Sequence, residues 1–428
     1  MDFDIPQDIQ AKLSELDAFI EAEIKPLERV NMQFFDHRRE NARTDWDNDG
    51  LPRKEWEALL REMKQRADRA GHLRYGLPKR LGGSDGSNFA MAVIRDHLAA
   101  KGLGLHNDLQ NESSIVGSFP MVQMLDKFGS AEQKATYIEG ILRSEKRVAF
   151  GLTEPDHGSD ATWLETTAVR DGDDWVINGA KRFNSGVHYA DADLIFARSS
   201  GRQGDAKGIS AFLVPMKTPG LDIPYYHWTF NMPTDHAEVT LSNVRVPNSA
   251  ILHKEGEGLA VAQHFVHENR IRQAASGVGA ARYCVAESVK YARERKSFGK
   301  PLATHQAIQF PLAEMHAECE LMRNFVFKVA WQLDRQHHLE ISDMVAIANY
   351  RANRLVCNAA DLAIQVHGGI GYTRAKPFEH MYRHHRRYRI TEGSDEVQIR
   401  RVAAYLFGYA GPNKRAKQPE TDSRPHES

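Results

Sequence analysis

Near its carboxyl end the chain carries the stretch Arg389-Ile390-Thr391-Glu392-Gly393-Ser394-Asp395-Glu396-Val397-Gln398. This stretch places one carboxylate, that of Glu392, beside a glycine that permits a tight turn. A charged Glu-Gly-Ser segment is ordinarily a solvated loop. A carboxylate on a turn can also act as a base, so the rest of the sequence has to decide between these two interpretations.

Three upstream segments bear on that choice. They are Leu152-Thr153-Glu154-Pro155-Asp156-His157-Gly158-Ser159-Asp160, Arg295-Lys296-Ser297-Phe298-Gly299-Lys300-Pro301-Leu302 and Gln365-Val366-His367-Gly368-Gly369-Ile370-Gly371-Tyr372. Taken alone, the first is a polar turn and Arg295 is a surface charge. What carries information is their order along the chain, with Glu392 last.

Length and charge narrow the class of protein. A chain of 428 residues usually forms two or three domains and can bury a sizeable core. Lys and Arg number 56 against 57 Asp and Glu, so the chain lacks the overall basic field that nucleic-acid-binding proteins usually show. Nucleic acid is therefore not an expected partner.

The cysteines and the apolar runs indicate the compartment. Cys284, Cys319 and Cys357 lie far apart in segments with a helical pattern, without metal spacing or a disulfide framework. The acidic amino terminus lacks the basic start and apolar core of a signal peptide, and no apolar run reaches membrane-spanning length. We expect a cytoplasmic protein with neither a metal site nor a membrane partner.

The pattern of apolar residues predicts three domains and a tail. Residues 1–147 have a helical pattern. Residues 148–258 contain short β-branched or aromatic runs that predict a β domain, with turns at Asp171-Gly172 and Asn178-Gly179. The helical pattern returns over 259–410, where Ala274, Val278, Ala281, Val285 and Val289 follow one helix face. Residues 411–428 hold one alanine and no larger apolar side chain, which predicts a disordered tail.

One segment looks like a calcium site but has a simpler explanation. Asp45 to Gly50 begins like an EF-hand loop, yet Trp56 stands where a bidentate Glu is required, and Pro52 interrupts the loop. We expect a loop that leads to a helix starting at Pro52.

Two other segments also imitate known motifs. Gly277-Val278-Gly279-Ala280-Ala281 matches part of a dinucleotide fingerprint without a preceding strand, so close helix packing is the better explanation. His384 and His385 are adjacent on a predicted helix and point to different sides, and no carboxylate accompanies them. The run Arg383 to Arg387 therefore predicts a cationic face rather than a metal site.

The four segments, in this order, resemble the acyl-CoA dehydrogenase family, and the resemblance extends from about residue 8 to 408. It implies a mainly α fold with a middle β domain: an N-terminal α-helical domain, a β-barrel or sandwich domain, and a C-terminal four-helix bundle. It also implies FAD in the cleft among the domains and across a dimer interface. The expected assembly is a homotetramer built as a dimer of dimers.

The resemblance also implies the residues that bind FAD. Phe183 and Ser185 match the positions of an aromatic residue that packs on the flavin and a hydroxyl that faces its N5, where the family often has Trp and Thr. The segment from Arg295 to Gln306 resembles the one that reaches the FAD of a neighbouring subunit, and the segment from Gln365 to Gly369 resembles its partner motif around the adenosine part of FAD. Arg295 suits the pyrophosphate because a guanidinium can bond it bidentately. The other cofactor-binding residues implied are Phe150, Leu152, Thr153, Ser159, Ser297, Phe298, His305, Gln306, Gln365, Gly368, Gly369, Ser394 and Glu396.

The chemistry that the resemblance implies centres on Glu392. Its carboxylate takes the α proton of an acyl-CoA thioester, while its backbone N–H and a ribityl hydroxyl of FAD donate to the thioester oxygen as an oxyanion hole does. The β hydrogen leaves as hydride to flavin N5, which gives a trans-2-enoyl-CoA. An electron-transfer flavoprotein is the expected electron acceptor.

Several positions concern the substrate. Some family members carry the base at the position of Asn269, where an amide cannot accept a proton at neutral pH. Thr391 stands where the family often has tyrosine, and His384 stands where it often has aspartate. These two differences bear on the identity of the substrate more than on the type of reaction. By resemblance, the stretch Leu105 to Asn111 corresponds to helices that line the acyl pocket of the family. Its polarity predicts a bulky or functionalised acyl group, unless its side chains face solvent or a neighbouring subunit. The implied substrate-binding residues are Ser159, Arg270, Thr391 and Gly393.

Two alternative functions remain open at this point. A flavin oxidase of the same fold would differ by substrate-dependent peroxide production. A non-catalytic stress-response relative that binds flavin and DNA is disfavoured by the formal net charge of −1 and the polar tail, although the run Arg383 to Arg389 keeps it open.

Overall fold

A computed structural model gives the fold and describes residues 4–108, 113–264, 266–412 and 414. Residues 109–111 of the predicted acyl pocket and most of the predicted tail lie outside the described residues. The α-helices before the sheet are α1 (Gln7–Phe19), α2 (Lys25–Arg29), α3 (Arg39–Arg43), α4 (Lys54–Arg69), α5 (Asn88–Ala99), α6 (Pro120–Phe128) and α7 (Ala131–Leu142).

Polar caps begin two of these helices. The Ser87 hydroxyl accepts a hydrogen bond from the Ala90 backbone N–H at the start of α5. Ser130 and Gln133 form a reciprocal capping box at the start of α7. These caps satisfy backbone donors that the first helical turn leaves without intrahelical partners.

The middle of the chain forms one eight-stranded sheet within the described residues, in the order β10-β7-β6-β4-β5-β9-β8, with β3 pairing to β6 in parallel. Apolar side chains pack on both faces of the central strands β6 and β7. On one face they contact residues of α6 and α7, and on the other they contact apolar residues of β5 and β9. The strands are β1 (Thr44–Asp45), β2 (Leu51–Pro52), β3 (Val148–Gly151), β4 (Thr167–Asp171), β5 (Asp174–Ser185), β6 (Ala192–Arg198), β7 (Ile209–Pro215), β8 (Leu221–Asp222), β9 (His236–Pro247), β10 (Ile251–Leu252), β11 (Lys296–Ser297) and β12 (Lys300–Pro301).

One predicted turn is confirmed and the other is wrong. Gly172, with φ of +63°, closes the β4–β5 hairpin. Asn178-Gly179 instead lies inside the long strand β5, where the pairing with β9 shifts register. A Cβ on Gly179 would lie 2.5 Å from the Thr166 hydroxyl oxygen, so the glycine allows a bulge with close chain approach.

Long helices follow the sheet. Gly279 of the first long helix confirms the predicted close packing, because a Cβ there would lie 2.3 Å from the Asp96 carbonyl oxygen on α5. The helical segments predicted around Cys284, Cys319 and Cys357 are confirmed, and all three thiols are buried. The helices are α8 (Gly258–Gln263), α9 (Val266–Glu294), α10 (Gln306–Leu333), α11 (Ser342–His367), α12 (Gly369–Tyr372), α13 (Phe378–Arg386) and α14 (Asp395–Leu406).

Two local predictions need correction. Pro52 belongs to the β1–β2 hairpin, and the helix that follows begins at Lys54. The cationic face predicted over Arg383–Arg387 does not include the two histidines, because His384 and His385 are fully buried whereas the three arginines are only partly buried. Burial lowers the pKa of His385 to about 3, with nearby Arg387 acting in the same direction, so its ring is neutral near pH 7.

The order of helical, β and helical parts that the sequence predicts is confirmed. The boundaries predicted at residues 147/148, 258/259 and 410/411 stay predictions. In the described ranges of the chain, no helix combines the length and the apolar character needed to cross a membrane.

Candidate active site

Glu392 lies on a left-handed turn between α13 and α14. Its φ is +57° and that of Gly393 is +97°. Two successive residues with positive φ reverse the chain sharply, and glycine adopts the second one without steric cost. The Ser394 hydroxyl then accepts from the Val397 N–H and caps α14. Gly393 and the Ser394 cap therefore account for the second half of the turn, whereas the positive φ of Glu392 is unfavourable for a residue with a Cβ and depends on the surrounding contacts.

Helix α9 holds the Glu392 carboxylate. Asn269 donates from Nδ2 to Glu392 Oε1 at 2.5 Å, and Gln273 donates from Nε2 to the same oxygen at 2.8 Å. The two donors are four residues apart and therefore share one face of the helix. Gln273 is 1% exposed and Asn269 is 6% exposed. The carboxylate is thus fixed by two buried neutral amides, and the solvated-loop interpretation of this glutamate does not apply.

Arg270 holds the backbone of the same turn. Its Nε donates to the Glu392 carbonyl oxygen at 3.0 Å, and its Nη2 donates to that oxygen as well. Burial lowers the pKa of Arg270 to about 10, the Glu392 charge opposes this shift, and Arg401 adds to it. A contact of Arg270 with CoA stays a prediction, whereas its guanidinium here faces the turn that carries Glu392.

A chain of buried amides continues behind Gln273. Asn349 donates from Nδ2 to the Gln273 Oε1 at 3.3 Å and to the Arg270 carbonyl oxygen at 2.9 Å. Gln398 donates from Nε2 to Asn349 Oδ1 at 2.6 Å and to the Gly393 carbonyl oxygen at 3.1 Å. The chain joins α9, α11 and α14 to the turn, so the position of Glu392 depends on all three helices.

An ion-pair cluster fixes the start of α14. Asp395 is 2% exposed, and its Oδ2 accepts from the Nε atoms of Arg354 and Arg389, each at 2.9 Å. One carboxylate between two guanidinium groups ties α14 to α11 and to the segment before the turn. Of the other predicted residues here, Thr391 and Glu396 are exposed on the surface.

The predicted flavin loop rests on a buried ion pair. Leu152 and Thr153 follow β3, in which Phe150 lies, and both are partly buried, whereas Ser159 is exposed. Lys181 donates from Nζ to Glu154 Oε1 at 2.6 Å and to the Leu152 carbonyl oxygen at 3.4 Å. Burial lowers the pKa of Lys181 to about 8, and the Glu154 carboxylate opposes that shift.

A second buried acid, Asp193, lies beside this pair and gives a stability prediction. Its Oδ2 accepts from Asn184 Nδ2 at 2.5 Å. Burial raises the pKa of Asp193 to about 7, against the effects of Asn184 and Lys181. Between about pH 4 and 7 the unfolded chain therefore loses this proton while the native protein keeps it, so stability falls as pH rises through that window.

We expect Asp193→Asn, which resembles the protonated acid, to raise the thermal unfolding midpoint at pH 8. The gain in the free energy of unfolding over the wild type is at most about 4 kcal/mol, and this gain should disappear towards pH 4. Thermal unfolding at several pH values measures the difference, with Asp173→Asn on the exposed β4–β5 turn as the control. A variant whose stability falls further below that of the wild type as pH rises would show that an ionised Asp193 stabilises the fold.

Phe183 and Ser185 lie at the end of β5. Phe183 has φ of +64° and is 50% exposed, and its ring packs on that of His227. The Ser185 hydroxyl is 2.8 Å from His236 Nδ1, and that nitrogen is 3.0 Å from Asp235 Oδ1. A half-exposed aromatic ring near a fixed hydroxyl suits a flat heteroaromatic group such as the flavin of FAD.

The residues predicted to reach FAD of a neighbouring subunit lie in two regions, one around the β11–β12 hairpin and the other at the end of α11. Phe298 is 96% exposed at the tip of the β11–β12 hairpin, just after Arg295. Gly368, with φ of +62°, separates α11 from α12, which begins at Gly369, and a Cβ on either glycine would meet no atom of the described chain within 4 Å. This open space fits a bound group. Ser297, His305, Gln306 and Gln365 lie in the same two regions.

The described part of the predicted acyl-pocket stretch is buried, so these side chains do not face solvent. His106, Asn107 and Asp108 are each at most 2% exposed. Arg43 donates from Nη1 to Asp108 Oδ2 at 2.9 Å, and its guanidinium lies 4.1 Å from the centre of the Trp56 ring.

The site includes residues that the sequence analysis missed. Gln273, Asn349, Gln398 and His236 contact predicted site residues directly or through one amide. A usable signal exists on α9, where Asn269 and Gln273 lie one turn apart, just before a run rich in alanine and glycine. The pairing of His236 with Ser185 depends on the register of β5 and β9, which a single sequence does not specify.

Comparison with known proteins places this geometry in a family. Three domain families match in order: acyl-CoA dehydrogenase, N-terminal domain (residues 8–145), middle domain (residues 149–244) and C-terminal domain (residues 256–407). The three matches cover nearly all of the described chain and agree with the helical, β and helical parts of the fold.

Individual relatives agree with these matches. The chain is 35% identical to the probable acyl-CoA dehydrogenase YngJ of Bacillus subtilis, over 77% of this chain and 85% of that protein. It is 30% identical to the caffeyl-CoA reductase-Etf complex subunit CarC of Acetobacterium woodii, over 81% and 89%. A putative acyl-CoA dehydrogenase structure from Mycobacterium abscessus superimposes with a TM-score of 0.83 at 28% identity, covering 95% of this chain and 100% of that one. The chain therefore belongs to the acyl-CoA dehydrogenase family, whose enzymes are FAD-dependent oxidoreductases.

Proposed function

We propose that this enzyme desaturates an acyl-CoA thioester between its α and β carbons, with Glu392 as the base that takes the α proton. The observation that carries the proposal is the Glu392 carboxylate, held on a left-handed turn by Asn269 and Gln273. A general base must be held within hydrogen-bond reach of the proton that it removes, and a carboxylate that is held in one orientation supports this role.

The chain supplies the rest of the site in named roles. The backbone N–H of Glu392 donates to the thioester oxygen, and Arg270 supports this by bonding the carbonyl of the same residue. Phe183 and Ser185 bound the place of the flavin ring, and Thr391, Gly393 and Ser159 contact the substrate. When bound, FAD supplies the hydride-accepting chemistry of the reaction.

The partners follow from the same assignment. The substrate is an acyl-CoA, and an electron-transfer flavoprotein accepts the electrons. The relative CarC is a subunit of a caffeyl-CoA reductase-Etf complex, which supports this partner. The exposed Arg295, Phe298 and Gly368 regions suit contact with FAD of a second subunit, so we propose a homotetramer in the cytoplasm.

The DNA-binding alternative gains no support from the charged run near the turn. Arg383 pairs with Glu40 and Glu379, and Arg389 pairs with Asp395. Guanidinium groups that are already paired within the chain contribute less to an electrostatic surface for phosphates.

Anaerobic flavin bleaching tests the proposal. We expect at least one member of a panel of short, long, branched, aryl and cyclic acyl-CoAs to bleach the yellow protein without an added reductant. Enoyl-CoA formation confirms desaturation, and peroxide production in air would instead indicate the oxidase. A protein that no saturated acyl-CoA bleaches, but whose chemically reduced flavin is reoxidised by enoyl-CoAs, works as a reductase.

A further inference from the structure

Asn269 and Gln273 approach Glu392 from successive turns of one helix and donate to one oxygen of its carboxylate. The first of them stands where some family members carry the base. In this chain that position holds Asn269, which donates a hydrogen bond to the Glu392 carboxylate. This pairing is a feature of the present chain that the reaction itself does not require.

The direction of the Gln273 hydrogen bond is set by the residues behind it. Asn349 Nδ2 donates to Gln273 Oε1, which leaves the Gln273 amide nitrogen to donate to Glu392. Asn349 cannot be flipped in turn, because its Nδ2 also donates to the Arg270 carbonyl and its Oδ1 accepts from Gln398. Asn353 donates to the same Oδ1 at 3.2 Å. The assignment of oxygen and nitrogen therefore follows from a closed network rather than from one contact.

The polarity of this network has a chemical consequence. Both amides present N–H groups to the carboxylate, and such donors favour its ionised form over the protonated one. The charged groups around the turn are Arg270 from α9, Arg401 from α14 and the Asp395 pair with Arg354 and Arg389. Burial of Gln273 and Asn349 excludes water from these hydrogen bonds, which strengthens the effect of each amide.

We propose that Gln273 and Asn269 are positioning residues that hold the Glu392 carboxylate ionised and in one orientation. The proposal rests on the proposed function only in giving Glu392 the role of base. The clamp would keep the base ready for the α proton without help from the substrate. Gln273 carries more of this role, because Asn349 fixes the orientation of its amide.

The test replaces Gln273 by methionine, which has a similar length and no N–H donor. Infrared spectra recorded as a function of pH, without any acyl-CoA, follow the protonated carboxyl band that is missing from Glu392→Gln. We expect the pH midpoint of that band to rise by about 1 to 2 units in Gln273→Met, because a hydrogen bond to a charged group is lost. Gln263→Met, at the exposed end of α8, is the matched control.

A kinetic readout accompanies the titration. The acid limb of the bleaching rate against pH should move upward by the same amount in Gln273→Met, while FAD content stays at the wild-type level. Asn269→Leu, at a less buried position, gives a second variant with a smaller shift in the same direction.

Unchanged infrared midpoints in both variants would overturn the proposal. If the midpoints shift while Glu392→Gln still bleaches normally, the clamp on the carboxylate is supported and the assignment of the base fails. The two ideas can therefore fail separately.

Discussion

Glu392→Gln should leave a folded, yellow protein whose flavin is bleached by acyl-CoA about 10²- to 10⁴-fold more slowly than that of the wild type. Glutamine has nearly the same shape, and its carbonyl oxygen can still accept from Asn269 and Gln273. It has no basic atom, so the α proton loses its acceptor while the backbone of the turn is retained. Single-turnover bleaching under anaerobic conditions measures the rate.

The controls separate loss of the base from loss of the site. Glu132→Gln, on the exposed first turn of α7, makes the same chemical change away from the site and should bleach like the wild type. The visible spectrum reports FAD content in each variant. Bleaching of Glu392→Gln at the wild-type rate would show that Glu392 is not the base and that another group accepts the α proton.

The sequence predicted the parts of the fold that depend on local pattern. Within the predicted β domain, the short runs at residues 194–198 and 209–214 lie in β6 and β7, because a continuous apolar run between turn residues suits a strand that is buried on both faces. Gly279 was explained correctly by close packing, since a glycine within an apolar helix has few other uses.

The errors share one physical cause, which is that burial and strand register depend on distant residues. Asn178-Gly179 has the composition of a hairpin turn, but its pairing with β9 converts it into a bulge within β5. His384 and His385 stand among arginines in sequence, yet both are fully buried in the fold. A prediction from one sequence assigns exposed charge from residues that are adjacent along the chain. It has no information on distant residues that become adjacent in the fold.

The site shows the same division. Motif order placed Glu392, Asn269 and Arg270 in one hypothesis, and the structure brings all three together. The family resemblance implies a contact between Arg270 and CoA, whereas the structure shows its hydrogen bonds to the carbonyl oxygen of Glu392. What a residue touches inside its own chain was thus not accessible from the motif, which records only the type of residue at a position.

Arg270→Lys distinguishes these two roles and should slow bleaching by about 10²-fold while leaving the affinity for an acyl-CoA ligand within a few-fold of the wild type. Lysine offers one compact ammonium group and cannot reproduce the two N–H donors that Arg270 directs at the Glu392 carbonyl. The turn would then be held less firmly, and a small displacement of a catalytic group lowers the rate of the chemical step more than it lowers binding.

Two measurements on the same variant decide the matter. A non-reactive thioether analogue of an acyl-CoA gives the dissociation constant through its effect on the flavin spectrum, and anaerobic bleaching gives the rate. Arg272→Lys is the matched control, because Arg272 is also buried on α9 but bonds Ser118 and Glu268 rather than the turn. Weak binding of the analogue to Arg270→Lys, with a normal bleaching rate at saturation, would favour a direct contact with CoA. A slow rate with normal binding would favour the other role, in which Arg270 acts on the proposed base by holding the Glu392 turn.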